Sequence, residues 1–107
     1  MNAGVKEALD GLIKAIKEDE VYKEYHAQLD LLRQNPELKR QVDDFRKRNY
    51  EMQDSEDFDF ARLNAFQDEY KTFRENPLVD SFLAAELDFC RMMQNINFDI
   101  VEAVDFD

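Results

Sequence analysis

The stretch NPLVDSFLAAELDFCRMMQNINFDIVEAV, residues 76–104, decides the fold. Within it Leu78, Phe82, Ala85, Phe89, Met92 and Ile96 recur at alternating spacings of four and three, and Ile100 and Val104 continue the series with a small phase shift. This is the period of a helix with one apolar seam, because side chains three and four apart stand above one another on a helix surface. Val79, Leu83, Leu87, Cys90, Met93 and Val101 flank the seam and make the apolar face wider than a two-stranded contact needs. A helix from Pro77 to Val104 is about 42 Å long at ~1.5 Å per residue. A compact domain of this length has a radius of gyration of only about 13 Å and cannot cover such a rod alone. Self-association is therefore expected. The expected oligomer or partner interface is Leu78, Phe82, Ala85, Phe89, Met92, Met93, Ile96 and Ile100.

Working back along the chain, the same period recurs in shorter segments. Residues 4–18 place Val5, Ala8, Leu9, Leu12, Ile13 and Ile16 on one helical face. Gly11 in that helix costs about 1 kcal/mol relative to Ala, which points to a kink or to close approach by another helix. At Glu18-Asp19-Glu20 the phase changes, and acids there suit the positive end of a new helix dipole. A second stripe follows: Val21, Tyr22, Tyr25, Leu29 and Leu32, running to Asn35. Asn35-Pro36-Glu37 combines a capping side chain, a first-turn proline with no N–H to leave unpaired, and a favourable acid. It opens a third helix with inner residues Leu38, Val42, Phe45, Asn49 and Met52, ending near Gln53.

Residues 54–59, Asp-Ser-Glu-Asp-Phe-Asp, lose the period and read as a connector, with Asp57 or Asp59 available as a cap. Phe60, Leu63, Phe66, Tyr70 and Phe73 form a fourth helical stripe, which stops at Asn76-Pro77. The two Asn-Pro junctions share their context, Arg33-Gln34-Asn35-Pro36 against Arg74-Glu75-Asn76-Pro77. A duplicated unit would produce this, but good helix-junction chemistry alone accounts for it. The expectation is one all-α domain, residues 1–107, with four to five amphipathic helices in an antiparallel bundle and a long C-terminal helix.

Composition narrows the function. Two glycines and two prolines in 107 residues cannot supply the turns of a β-sandwich or a glycine-rich phosphate loop. With 25 acids against 14 basic residues the net charge is −11, which repels nucleic acid and anionic membrane unless cations cluster. The one candidate cluster, Lys39, Arg40, Arg46, Lys47 and Arg48, spreads around a helix and alternates with Asp43 and Asp44, as a solvated mixed-charge face does. No run reaches a membrane span, and Lys6, Glu7, Asp10 and Lys14 interrupt the first segment too early for a signal peptide. A cytoplasmic protein with one unpaired cysteine is expected.

No catalytic set emerges. His26 is the single histidine and Lys23 stands where an E-x-x-H pair needs Glu, so a di-iron site is not supported and His26 reads as a helix-edge residue. Cys90 has no C-x-x-C partner and, on an apolar stripe, reads as a buried thiol. The acidic connector lacks the glycine and final glutamate of a calcium loop. Phe89, Met92 and Met93 form the adaptable kind of cluster that protein partners use.

With these residues in view, the chain resembles the YlbF/YmcA family of small bacterial helical regulators. Three stretches carry the likeness. They are Ala15-Ile16-Lys17-Glu18 through Tyr22-Lys23-Glu24-Tyr25; Asn35-Pro36-Glu37-Leu38 leading to Val42 and Phe45; and Asn76-Pro77-Leu78-Val79-Asp80-Ser81-Phe82-Leu83-Ala84-Ala85-Glu86, followed by Asn95-Ile96 and Ile100. The resemblance implies an all-helical, non-enzymatic protein that forms dimers or tetramers and acts by binding proteins. It associates the chain with control of competence, sporulation and biofilm formation, and with a complex that directs an endoribonuclease. Members of that complex are linked to iron–sulfur clusters through cysteines; this chain has Cys90 alone and no cysteine-bearing tail, so cluster binding is not carried over.

The expected function is thus a non-enzymatic regulatory adaptor with no cofactor and no metal, acting as a homo-oligomer on itself and on another regulatory protein or a ribonuclease complex, without direct nucleic-acid contact. A small-ligand- or metal-binding bundle and an acidic chaperone-like module are the alternatives.

Overall fold

Six helices make up the computed structural model, which describes residues 1–53 and 60–104: α1 (Ala3–Glu18), α2 (Glu20–Arg33), α3 (Pro36–Gln53), α4 (Phe60–Glu69), α5 (Lys71–Arg74) and α6 (Pro77–Val104). No strand occurs among the described residues, and the fold is all-α. The capping proposed for Asp57 or Asp59 lies outside them.

Three junctions are built by short polar side chains. Asp19 ends α1 and starts α2 in an extended conformation, its carboxylate accepting from the Val21 N–H at 2.8 Å. Asn35 Oδ1 accepts from the Leu38 N–H at 3.2 Å, and Asn76 Oδ1 from the Leu78 N–H at 3.0 Å. Each asparagine thereby satisfies one of the donors that a helix start leaves unpaired, and the following proline begins the helix.

The fourth stripe forms two helices, not one. The break falls at Tyr70, whose backbone (φ −100°, ψ 6°) leaves the α region. Its ring is held at 5.0 Å from Phe45 and 4.9 Å from Phe66, and its hydroxyl is bonded on both sides, so side-chain packing locks the residue where the turn tightens. Phe60, counted in the same stripe, is exposed.

Two apolar clusters share Phe73 and Leu83 at their boundary. In the first, Leu32 of α2, Leu38 and Val42 of α3, and Val79 and Phe82 of α6 are buried together, with Tyr25, Leu29 and Leu78 packed on them. The second joins Phe45 and Met52 of α3 to Phe66 of α4. Rings face one another throughout: Phe45 stacks on Phe66 at 5.5 Å and meets Phe73 at 5.7 Å.

Antiparallel packing of α2 on α6 is the largest helix contact. Tyr25 touches both Phe82 and Phe89 whereas Tyr22 touches only Phe89, so stepping back along α2 moves forward along α6. The two helices differ in length, 14 residues against 28, or about 21 Å against about 42 Å. Helix α2 can cover only half of α6.

The first helix is the outlier. No residue of α1 is buried, and its principal contact is with α2, the helix it adjoins in sequence. A side chain at Gly11 would meet open space, so the close approach suggested by that glycine is not made by the chain's own helices. The molecule is accordingly extended, 49 × 37 × 18 Å with a radius of gyration of 17.7 Å, against about 13 Å for a compact chain of this length.

Candidate interaction surface

The residues expected at an interface divide along α6. Phe82 and Ala85 are buried in the chain's own core, and Leu78 packs against it, because this is the half of α6 that α2 and α3 cover. The seam's first three residues face inward within the chain. Phe89 is half-buried, stacked at 5.1 Å on Tyr25 and edge-on at 5.6 Å to Tyr22. Beyond it α2 ends, and exposure climbs. Met92 and Ile96 are half-buried, Met93 is 39% exposed and Ile100 48%.

Further apolar residues are exposed towards the end of α6 and on α1. Phe98 is 64% exposed and Val104 62%, with Val101 between them. On α1, Val5, Leu9 and Ile13 are exposed, and Leu12 and Ile16 are half-buried. The sequence shows the α1 stripe as a helix face without naming its occupant, since a period of 3.6 shows which residues share a face and not what lies against it.

Cys90 was expected to be buried and is exposed. One residue past Phe89 is a 100° turn around the helix, away from the tyrosines that cover Phe89. His26 lies at the helix edge, its ring 5.3 Å from Tyr22 and its Nδ1 3.8 Å from an Asp30 carboxylate oxygen.

Away from this surface the charged residues are engaged with one another. Lys39 pairs with Asp43 at 2.5 Å, Arg40 with Glu37 at 2.6 Å, and Arg46 Nη2 lies 2.8 Å from Glu86 Oε2. Arg48 forks onto both oxygens of Glu69 at 2.7 and 3.0 Å and donates to the Tyr70 hydroxyl at 2.6 Å, while Tyr70 donates to Asp44 at 3.1 Å. The hydrogen bond from Arg48 holds the Glu69 carboxyl below its ordinary pKa, and burial pushes the Tyr70 phenol up. At Glu86 burial wins: desolvation raises the carboxyl above its ordinary pKa against the pull of Arg46, and Asp43 adds to the rise. Arg46 and Glu86 are close enough for an ion pair but lack hydrogen-bond alignment, which leaves Oε2 without a hydrogen-bond donor and fits the direction of that shift.

A cleft of about 400 Å³ between α3 and α4 is lined by Arg48, Glu51, Met52, Arg62, Phe66 and Glu69. Its walls mix both signs of charge, and Arg48 is already neutralised by Glu69. Among the described residues no group of three or more His, Cys, Asp or Glu side chains could hold a metal ion. No described helix is long and apolar enough to cross a membrane.

Comparison with known proteins places this geometry in context. A family described as "Control of competence regulator ComK, YlbF/YmcA" matches residues 5–105. Among curated proteins, a UPF0342 protein of Caldicellulosiruptor bescii is 23% identical over 99 residues, covering 89% of this chain and 83% of the relative. A UPF0342 protein of Caldicellulosiruptor saccharolyticus is 26% identical over 98 residues, covering 88% and 82%. No solved structure matches the chain.

Proposed function

The chain belongs to the YlbF/YmcA family of competence-control regulators, and from that premise we propose that it is a cytoplasmic regulatory adaptor that works as a homo-oligomer through protein contacts and not by catalysis. The observation that carries this reading is the uncovered apolar face of α1 and the second half of α6. Scattered exposed apolar residues are ordinary on a protein surface, but an apolar stripe left exposed at helical spacing on each of two helices marks a place where another protein sits. Ile100, Val101 and Val104 lie within about 100° of one another around α6 and within two turns.

Charge pairing favours a protein partner over RNA. Counterion release needs cations free to meet phosphates, and Lys39, Arg40, Arg46 and Arg48 each face a carboxylate of their own chain. A partner regulator, or a ribonuclease complex reached through it, is the expected client.

Sedimentation velocity of the full chain at micromolar concentration tests the first half of the proposal: an assembly of two or more chains is expected, and a monomer at every concentration rejects it. Affinity capture from the native host tests the second half. Recovery of the protein alone would count against an adaptor.

A further inference from the structure

We infer that the two uncovered faces belong to one interface: α1 of one chain packs on residues 90–104 of α6 in a second copy, and reciprocally, about a two-fold axis. This rests on the self-association proposed above and specifies its geometry.

The lengths agree. Helix α1 has 16 residues, and 15 residues of α6 remain beyond Phe89, about 24 Å and about 23 Å long. Within one chain each face keeps exposed positions beside its half-buried ones: Val5, Leu9 and Ile13 on the one, Ile100, Val101 and Val104 on the other. The extended, side-chain-capped Asp19 separates the direction of α1 from that of α2, which frees α1 to leave its own chain. A 16-residue helix with no buried residue is marginal in water and needs a partner for its apolar stripe.

Charge selects this pairing over two copies of α6 against each other. After Arg91 the described part of α6 carries Asp99 and Glu102 and no basic residue, so an α6–α6 contact would bring like charges together. Helix α1 is neutral overall, its Lys6, Lys14 and Lys17 balancing Glu7, Asp10 and Glu18, and Lys6 and Lys17 border its apolar stripe, so it does not add to the repulsion.

Area agrees as well. The chain exposes 8309 Å², whereas a monomeric protein of 12.8 kDa exposes about 6,300 Å² by the usual scaling. The excess of about 2,000 Å² is more than the roughly 800 Å² that each partner contributes to a standard stable interface. Because the contact is reciprocal, it occurs twice in a closed dimer.

Reciprocity gives a complementation test. Ile13→Asp and Ile100→Asp alter positions exposed in the single chain and outside the core of Leu32, Val42, Val79 and Phe82, so both variants should keep a cooperative urea transition of that core. Leu9→Asp and Val104→Asp replace either one that does not. Each variant alone should be a monomer by light scattering at a concentration where the wild type is a dimer. Mixing them should restore a one-to-one heterodimer, because one α1 and one α6 are intact and meet each other; with half the contact left, its affinity should be lower on the order of tenfold or more. A variant that still dimerises alone, or two monomeric variants that do not recover on mixing, would overturn this arrangement while self-association stands. A monomeric wild type would overturn both.

Discussion

At the scale of single residues the interior leaves little slack. Phe82 and Val79 are fully buried at the meeting point of α2, α3 and α6. Phe82→Ala should cost about 3 to 5 kcal/mol of unfolding free energy, since the ring's transfer energy and the cavity left behind add together. Urea denaturation at fixed protein concentration would show it. Glu86 carries a pH signature of the opposite kind from a simple surface acid. Its folded pKa lies above the unfolded value, so as pH falls the folded chain takes up that proton first, and stability attached to this site is present at low pH and lost as pH rises through the folded pKa. Glu86→Gln removes the titration and leaves the shape. The stability of the wild type relative to Glu86→Gln should therefore increase when pH is lowered from 7 to about 5; a gap that narrows would contradict the sign. Glu69, held low by Arg48, contributes in the reverse sense and cancels in this difference because both proteins keep it.

Among the elements, the helix starts were the most legible part of the sequence. Asn35-Pro36 and Asn76-Pro77 name their own function, because a capping amide followed by a residue with no N–H is useful at a helix start and costly inside one. Asn35→Ala and Asn76→Ala should each cost about 1 kcal/mol, and the double variant should cost more than either. Thermal unfolding of the two single variants and the double variant checks this. What could not be read was the occupant of each face. Period alone placed Leu78, Phe82 and Ala85 on one seam with Ile96 and Ile100, yet the first three lie against the chain's own core, since α2 is half as long as α6. The tyrosines that cover Phe89 are more than sixty residues away in sequence, so neither their stacking nor the resulting exposure of Cys90 has a local signal. The interruption at Tyr70 is of the same type: it depends on Phe45, Arg48 and Asp44 of another helix.

For the whole molecule, two long-range effects oppose each other. Chains of net charge −11 repel, and Lys6 and Lys17 offset this only through exposed rim contacts, which are worth little. The acids are also unevenly placed, with only Arg62, Lys71, Arg74 and Arg91 as basic residues after Glu51. Association driven mainly by the apolar faces of α1 and α6 must therefore work against repulsion, and salt screens the repulsion more than it weakens the contact, the Debye length falling to about 8 Å at 0.15 M. Raising sodium chloride from 50 to 300 mM should strengthen self-association, seen in sedimentation equilibrium as a larger fraction of dimer at the same loading concentration. Weakening would mean that ion pairs, and not Leu9, Ile13, Ile100 and Val104, hold the chains together. A basic client would behave in the reverse manner, binding less tightly as salt rises, so one salt series distinguishes contact between copies from contact with a positively charged partner.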